Sequence, residues 1–495
     1  MKLFYKVKKL FTTDVLDSLS KKTAKGRFWL FSFRIVDQVL RLIRTVILAR
    51  LLAPSDFGLF GITVLAVSLL ETFSQNGFAH ALIQKKGDIK PYLDSAWIVQ
   101  VTRSLLLALM LFFFAPFIAA FFNAPAAEQI LKVVALVVAL QGFYNIAIIY
   151  FQKELEFHKY FFYQIIGTLA DFAVSVALAL ILRNVWALVF GLLAGTIARL
   201  VVSYLVHSYY PRLKFDVLKV KELFSFGKWI FVSNILVFFI IQADSFFVAK
   251  MLGVSALGFY QIAYKIPSIL AIEIIAGAIF PAYAKIQDDM VKIKTAYLKI
   301  LKLFSFILMP MAGGIFILTY EFIMVFLGEK WLPAFAPMRI LILSTLIWTI
   351  AFLSNYVFLA LGKPNIDTKG IMIRFAALAI LLYPFIVWRG ILGASIAVLL
   401  SVMAGSAWFI FMALKTMNIS PGDFLKNITI PFANTLCMMI AVFALKNVLT
   451  ITMGNFLLLV AIGALVYLAL TYMTDKLLKN NMISLIKESI SLFIR

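Results

Sequence analysis

Long apolar stretches alternate with short polar connections along almost the entire chain. Each stretch holds about 20 residues, the length an α-helix needs to cross roughly 30 Å of hydrocarbon. Strands are not expected, because an open sheet edge would leave backbone groups unpaired in lipid. The pattern therefore predicts an all-α polytopic membrane protein with about 14 transmembrane helices. The predicted spans are 27–52, 57–81, 96–122, 130–151, 161–182, 185–206, 229–252, 257–283, 300–327, 337–361, 370–388, 391–414, 428–447 and 456–474.

The composition excludes a soluble globular protein. Hydrophobic residues make up 63% of the 495 residues and charged residues only 14%, and the mean hydropathy is +1.00. The core of a soluble protein could not bury so many apolar residues. A net charge of +23 could suggest nucleic acid, but the basic residues lie in short loops between apolar spans. One cysteine, Cys437, excludes an intramolecular disulfide, and three widely separated histidines predict no metal site.

The basic residues indicate the orientation in the membrane. If the N-terminus is cytoplasmic, the connections after even-numbered spans are cytoplasmic, and these carry most of the lysines and arginines. Lys85 and Lys86 follow span two, for example, and Lys219 follows span six. We therefore expect a protein of the bacterial cytoplasmic membrane with both termini in the cytoplasm.

An internal repeat divides the spans into two halves. ILARLLAPSDFGLFGI at 47–62 aligns without gaps on FVAKMLGVSALGFYQI at 247–262, and NIAIIYFQK at 145–153 resembles NYVFLALGK at 355–363. The alternative is that two membrane helices followed by small-residue turns look alike by chance. Six spans per half give the halves one orientation, so we predict two six-helix lobes related by a pseudo-two-fold axis along the membrane normal, plus two C-terminal helices.

The repeat sets the predicted domain boundaries. They are a cytoplasmic amphipathic segment at 1–26, an N-lobe at 27–208, a cytoplasmic linker at 209–227, a C-lobe at 228–415, two further helices within 416–474 and a cytoplasmic amphipathic tail at 475–495.

Span one carries charges where hydrocarbon is expected. Arg34, Asp37, Arg41 and Arg44 are spaced by three or four residues and share one helical face. Exposing that face to lipid would cost about 10 kcal/mol, so it must face protein or water. Asp37 could pair with Arg41 or with Arg34 for packing alone, but one carboxylate cannot neutralise three arginines. We interpret this face as the cationic lining of a central cavity, suited to phosphate or carboxylate.

Other charges near the spans are candidates for the same cavity. The basic candidates are Arg50, Arg103, Arg199, Lys250, Lys265 and Arg374. The acidic candidates are Asp37, Glu71, Asp171, Asp244 and Glu273. Three of the cations, Arg50, Arg103 and Lys250, stand near span ends, where reaching the headgroups is the simpler interpretation. The acids could bind a coupling proton or sodium ion or could partner a nearby base, and no cofactor is expected beyond such a gradient.

Several segments resemble one transporter family. KKTAKGRFWLFSFRIVDQVLRLIRTVILARLLAPSDFGLFGI, YFQKELEFHKYF, FSFGKWIF and FLGEKWLP are similar to Wzx-type polysaccharide flippases, closest to the colanic acid and teichuronic acid exporters, within the multidrug/oligosaccharidyl-lipid/polysaccharide exporter superfamily. The resemblance covers about residues 20–420. It implies two lobes around a cationic cavity, with Arg34, Arg41 and Arg44 facing the head group of a lipid carrier.

The resemblance also implies a substrate and a pathway. The expected substrate is an undecaprenyl-pyrophosphate-linked oligosaccharide, flipped from the cytoplasmic to the periplasmic leaflet by alternating access for exopolysaccharide, capsule, lipopolysaccharide or O-antigen synthesis. The expected partners are membrane lipids and polymerase and export proteins of that pathway, and not nucleic acid.

Two other functions remain as alternatives. A cation-coupled multidrug exporter of the same superfamily would favour an acidic pocket over an arginine face. A membrane polysaccharide polymerase or glycosyltransferase would use large outer loops, and the outer connections here are short. Asp288 and Asp289 could suggest a metal-sugar site, but a solvated loop beside lysines is the favoured interpretation.

Overall fold

The computed structural model describes residues 36–74, 77–85, 87–154, 156–270, 279–280, 282–478 and 482–485, without the side chains of 80 and 224–237. Within these ranges all regular structure is helical. The chain divides into two compact units, Met1–Phe239 and Ile240–Arg495, and each is considered by itself. The division falls after the predicted linker, and the predicted terminal segment 1–26 lies outside the described residues.

The first unit is built from helices of very different lengths. They are α1 at 36–51, α2 at Pro54–Ser74, α3 at Phe78–Gln84, α4 at Lys90–Phe121, α5 at Ala127–Gly142, α6 at Ile149–Lys153, α7 at Phe157–Leu182, α8 at Trp186–Leu205 and α9, which runs over Val217–Leu252 into the second unit. Helix α4 packs against α5 and α7 against α8, while α5 also contacts α2 and α8.

Glycines bring α7 and α8 unusually close together. A Cβ atom on Gly195 would lie 2.7 Å from the carbonyl oxygen of Gly167, and one on Gly191 would lie 2.6 Å from Cβ of Ser175. Both distances are below normal van der Waals contact, so only a residue without a side chain fits at these crossings. The outward face of α7 carries exposed Ile181, as expected for a helix that faces lipid.

The predicted span four, 130–151, is bent in the structure. Helix α5 ends at Gly142, and the short helical segment Ile146–Lys153 continues at an angle of 66° to it. Asn145 fixes the bend, because its side chain accepts a hydrogen bond from the Ala147 amide at 3.0 Å and donates to the Tyr209 carbonyl at 2.7 Å. The apolar pattern predicted a continuous span here, and a single capping asparagine interrupts it.

The start of α9 is fastened to the first unit by polar contacts. Glu222 pairs with Lys85 and accepts a hydrogen bond from the Tyr92 hydroxyl at 2.9 Å. These two donors, Lys85 first, hold the pKa of the Glu222 carboxyl below its ordinary value. The side chain of Leu223 is buried in a cluster that includes Leu82.

The second unit contains the end of α9 and the helices α10 to α16. They are α10 at Val254–Lys265, α11 at Met290–Ile317, α12 at Thr319–Phe322, α13 at Phe335–Ala360, α14 at Pro364–Met417, α15 at Pro421–Lys446 and α16 at Met453–Leu478. Helix α13 packs against α14 and α10, α11 packs against α15, and α15 packs against α16. Between α15 and α16, Asn434 donates to the hydroxyl of Thr474 at 3.2 Å.

Helix α14 is two helices joined at a sharp break. Arg389 and Gly390 have non-helical dihedrals, with φ of −138° and 57°. A Cβ on Gly393 would lie only 1.7 Å from the Phe385 carbonyl oxygen, so the two helical parts approach closely there. The break falls where the sequence predicts the short connection between 370–388 and 391–414.

Nine helices within the described residues are long and apolar enough to cross a membrane, or ten if the bent pair in the first unit is one span. The all-α membrane architecture is therefore confirmed for the described part of the chain. The total of about 14 helices and the relation between the halves remain predictions.

Candidate functional site

An ion pair joins α1 to α7 in the first unit. Arg44 donates from Nη2 to Oδ1 of Asp171 at 2.7 Å and from Nε to Oγ of Ser175 at 3.0 Å. The Arg44 side chain is only 16% exposed, so little water screens the attraction between the two charges. The contact fixes the register of α1 against α7.

One turn away on the same face, Arg41 pairs within its own helix. Its Nε donates to Oδ2 of Asp37 at 2.7 Å, and the hydroxyl of Thr168 on α7 donates to Oδ1 of the same carboxylate at 2.9 Å. This is one of the two pairings that the sequence left open for Asp37. The Arg41 side chain is 54% exposed, so much of its guanidinium remains accessible to a ligand.

A third arginine approaches this cluster from α8. The positive charge of Arg199 is close enough to interact with Asp171. The Arg199 side chain packs against Gly167, and a Cβ atom on Gly167 would lie 2.4 Å from that side chain. The Nε of Arg199 is buried without a hydrogen-bond partner among the described residues. A buried donor of this kind is costly unless a ligand or water satisfies it.

We call these five side chains the arginine cluster. Its members are Asp37, Arg41, Arg44, Asp171 and Arg199. Three guanidinium groups face two carboxylates, so the cluster is positive overall. This arrangement can attract a phosphate or carboxylate, and the accessible Arg41 offers the planar pair of donors that such a group needs.

The other basic candidates of the first unit lie elsewhere. Arg103 donates to the Ser74 hydroxyl at 3.0 Å and to the carbonyl oxygen of Glu71 at 3.3 Å, which joins α4 to α2. Arg50 is exposed near the end of α1, as expected for a side chain that reaches the headgroups. Arg34 lies outside the described residues.

The second unit has a buried carboxylate of its own. Asp244 on α9 is 1% exposed, accepts a hydrogen bond from the Tyr260 hydroxyl at 3.0 Å and contacts Tyr264. Arg374 on α14 is close enough to interact with its charge, and the Arg374 guanidinium lies 4.2 Å from the ring centroid of Trp348. The Nε of Arg374 is buried without a hydrogen-bond partner in the described part of the chain.

The acidic and the basic residue of each charged group exchange helices between the two units. The repeat offset that aligns 47–62 with 247–262 also places Arg44 opposite Asp244. In the first unit the first predicted span supplies the arginine and the fifth supplies Asp171; in the second unit the first span supplies the carboxylate and the fifth supplies Arg374. The alignment of the two halves could have indicated that Arg44 corresponds to Asp244, but the sequence analysis did not extend the alignment to these two positions.

Three of the remaining candidates lie in the described part of the chain. Lys250 and Lys265 are exposed in the last turns of α9 and α10. The Glu71 carboxyl lies close enough to Arg103 for their charges to interact. Glu273 lies outside the described residues. Sequence reasoning also missed the neutral contacts of the two groups, namely Thr168, Ser175, Tyr260, Tyr264 and Trp348.

The sequence matches one known protein family. A family model described as "Polysaccharide biosynthesis protein" matches residues 47–336, more than half of the sequence. The chain belongs to this polysaccharide biosynthesis family. The match begins within α1 and ends at the start of α13, so it includes Asp171, Arg199 and Asp244.

Curated relatives of this family member match it nearly end to end. The lipopolysaccharide biosynthesis protein WzxC of Escherichia coli (strain K12) is 25% identical over 448 residues, covering 87% of this chain and 89% of its own. The succinoglycan biosynthesis transport protein ExoT of Rhizobium meliloti (strain 1021) is 25% identical over 470 residues, covering 90% of this chain and 92% of its own.

Solved structures show the fold that this family member shares. The lipid II flippase MurJ in an inward closed conformation matches with a TM-score of 0.73 and 18% identity, over 91% of this chain and all of that one (100%). An inward-facing multidrug resistance MATE family transporter of the MOP superfamily matches with a TM-score of 0.61 and 13% identity, over 81% of this chain and 100% of that one. The fold is thus the one seen in both transporters.

Because α7 and α8 cross so closely, we expect one added methyl group at the crossing to destabilise the protein. A Cβ on Gly191 would lie 2.7 Å from Oδ1 of Asp171, so Gly191→Ala should lower the free energy of unfolding by about 1–3 kcal/mol through overpacking. Gly314→Ala in α11 is the matched control, because no heavy atom of the described residues, apart from its chain neighbours and its own helix backbone, lies within 4 Å of the added Cβ. Thermal unfolding of the purified proteins in detergent measures both, and equal midpoints for the two variants would contradict the proposed crossing.

Proposed function

We propose that this chain is a flippase that moves undecaprenyl-pyrophosphate-linked oligosaccharide repeat units from the cytoplasmic to the periplasmic leaflet. The observation that carries the proposal is the arginine cluster, which places excess positive charge on membrane helices of a polysaccharide biosynthesis family member. Such charge is costly in a bilayer unless a group of opposite charge pairs with it, and a pyrophosphate head group is such a group. The protein is a transporter.

The proposal includes the architecture predicted from the repeat. Two six-helix lobes, within 27–208 and 228–415, would rock about a cavity that opens first to the cytoplasm and then to the periplasm, with the helices of 416–474 appended. Both termini would lie in the cytoplasm. The polyprenyl tail would stay in lipid while the head group crosses between the lobes.

Within the arginine cluster the roles divide by accessibility. Arg41 is the residue we expect to contact the pyrophosphate, because its partner is a neighbour in its own helix and its side chain is largely accessible. Arg199, whose buried Nε has no hydrogen-bond partner among the described residues, is the second donor that we expect to serve the same group. Arg44 is held by Asp171 and contributes its charge from a fixed position. We extend the head-group role to Arg34 on the same face of span one.

Fixed cations lower the main barrier to flipping. Moving a pyrophosphate through hydrocarbon alone is prohibitive, because charges interact with lipid far more weakly than with water. Pairing the phosphates with guanidinium groups replaces the lost hydration by charge-assisted hydrogen bonds. A proton or sodium gradient is the candidate driving force, and the candidate coupling acids are Asp171, which pairs with Arg44, and the buried Asp244.

The structure and the family weigh against the two alternatives. A multidrug exporter shares the fold, but cationic drugs would be repelled by an excess of arginines. For a polymerase or transferase, Asp289 was the tempting metal ligand. It instead caps α11 by accepting hydrogen bonds from the Val291 and Lys292 amides at 3.1 and 3.0 Å.

Reconstitution separates the proposed function from the drug exporter. Purified protein in liposomes should move a fluorescent undecaprenyl-pyrophosphate-linked oligosaccharide across the bilayer and should not accumulate ethidium under an imposed proton or sodium gradient. Flipping that accelerates under only one of the two gradients would identify the coupling ion. Gradient-driven ethidium transport without lipid movement would favour the multidrug exporter.

A further inference from the structure

A cavity of about 880 Å³ lies at one end of the first unit, outside the arginine cluster. It forms where α4 begins, where α6 ends, where α7 begins and where the chain leaves α8 for α9. In the proposed orientation these connections are all cytoplasmic. The volume falls within the range of about 300–1,000 Å³ that is typical of ligand sites.

Aromatic rings form part of the cavity wall. Tyr150 and His207 are stacked with their centroids 5.5 Å apart and their planes 6° apart. Tyr210, which is 65% exposed, stacks on Tyr204 with an interplanar angle of 26°. Flat aromatic faces beside polar groups suit ligands that have both C–H and hydroxyl surfaces.

Hydrogen bonds hold the wall of the cavity in place. Asp94 is occupied, because it accepts from the Tyr209 hydroxyl and from the Arg212 amide. The Nδ1 atom of His207 accepts from the Tyr209 amide at 3.0 Å. Burial, followed by the charge of Lys159, lowers the pKa of His207, so the neutral ring carries its proton on Nε2.

Positive and negative charges are balanced around the cavity. The charged residues that line it are Lys90, Lys159 and Arg212 and, with opposite sign, Asp94, Glu154 and Glu156. Lys159 and Glu156 form an ion pair at 2.8 Å. A pyrophosphate would gain more from the arginine cluster than from this balanced wall, whereas hydroxyl groups can use both the acceptors and the donors present.

We propose that this cavity is a saccharide-binding site that recognises the oligosaccharide of the lipid-linked substrate on the cytoplasmic side. The proposal rests on the proposed flippase function and adds the element that selects among glycans. The pyrophosphate is common to all such carriers, so the arginine cluster cannot distinguish them. The cavity would bind the oligosaccharide, which is the part that differs from one substrate to another.

Direct binding tests the site without any transport. The purified full-length protein, labelled and in detergent, is applied to an array of immobilised bacterial glycans. The wild type should bind a subset of them, Tyr210→Ala and Glu154→Gln should bind the same glycans about tenfold more weakly, and Tyr210→Phe should retain binding because stacking needs only the ring. Lys214→Ala is the matched control, since Lys214 is exposed on the same segment and does not line the cavity.

Flipping rates then connect binding to selection. For two lipid-linked glycans, one bound and one ignored on the array, the wild type should show a large ratio of rates, and Tyr210→Ala should bring this ratio close to one. Absence of any bound glycan, displacement of glycans by inorganic pyrophosphate, or an unchanged ratio in Tyr210→Ala would overturn the proposal. Glycan binding by a protein that flips no carrier lipid would support the saccharide site and contradict the flippase function.

Discussion

Replacing Arg44 by alanine is expected to abolish flipping and also to destabilise the first unit. The substitution leaves the poorly exposed Asp171 carboxylate without its ion-pair partner, which costs about 3–5 kcal/mol in buried pairs. Loss of transport alone would therefore not separate a role in substrate binding from a role in folding. The informative variant removes both charges together.

The double variant Arg44→Gln with Asp171→Asn keeps two side chains that can hydrogen-bond and removes the stranded charge. We expect it to recover most of the thermal stability lost in Arg44→Ala, because no charge is left unpaired. Flipping should stay at least about tenfold below the wild type, because one of the three guanidinium groups that can pair with the head group is gone while the net charge of the cluster is unchanged. Transport per amount of folded protein and the unfolding midpoint are measured on the same samples.

An exposed ion pair of the same unit provides the comparison. Lys132 pairs with Glu128 at 2.6 Å on α5, with each side chain 37% exposed. Lys132→Ala should change stability by less than about 1 kcal/mol and leave flipping unchanged. Wild-type flipping by the neutral Arg44 and Asp171 double variant would show that the pair serves packing alone.

The second large effect is expected at Asp244. Asp244→Ala removes the acceptor for Tyr260 and the nearby opposite charge for Arg374, both in a buried setting. We expect it to lower the free energy of unfolding by about 3–5 kcal/mol. Asp244→Asn should cost less, because an amide oxygen can still accept the tyrosine hydroxyl.

A double-mutant cycle isolates the interaction between the two charges. Arg374→Met removes the guanidinium and keeps an unbranched side chain against Trp348. Combined with Asp244→Asn it should be less destabilising than the two single effects together, with a coupling of about 1–3 kcal/mol. Lys415→Ala, an exposed cation of the same helix α14, should show no coupling. Additive effects of Asp244→Asn and Arg374→Met would refute the interaction.

The sequence could predict the features that depend on periodicity. Spacing alone placed Asp37, Arg41 and Arg44 on one helical face, and the structure brings Asp37 and Arg44 into contact with α7. The apolar spans and the connection at Arg389 and Gly390 follow from the same kind of pattern. These signals are local, so they survive without knowledge of the neighbouring helices.

The pairing between helices could not be predicted in this way. Asp171 and Arg199 are each ordinary isolated charges in the sequence, and only packing shows that Arg44 meets the first and that Gly167 makes room for the second. The bend after Gly142 depends on Asn145 reaching the Tyr209 carbonyl, a contact across 64 positions of sequence. Long-range contacts of this kind have no periodic signature.

The central claim is that the arginine cluster makes the bilayer passable for an anionic head group. The most direct measurement compares, in proteoliposomes, the flipping of one oligosaccharide on undecaprenyl pyrophosphate with the flipping of the same oligosaccharide on a neutral diacylglycerol anchor. The account predicts rapid movement of the pyrophosphate-linked form by the wild type, little acceleration of the neutral form, and loss of the difference in the Arg41→Gln variant. Equal acceleration of both lipids by the wild type would contradict it.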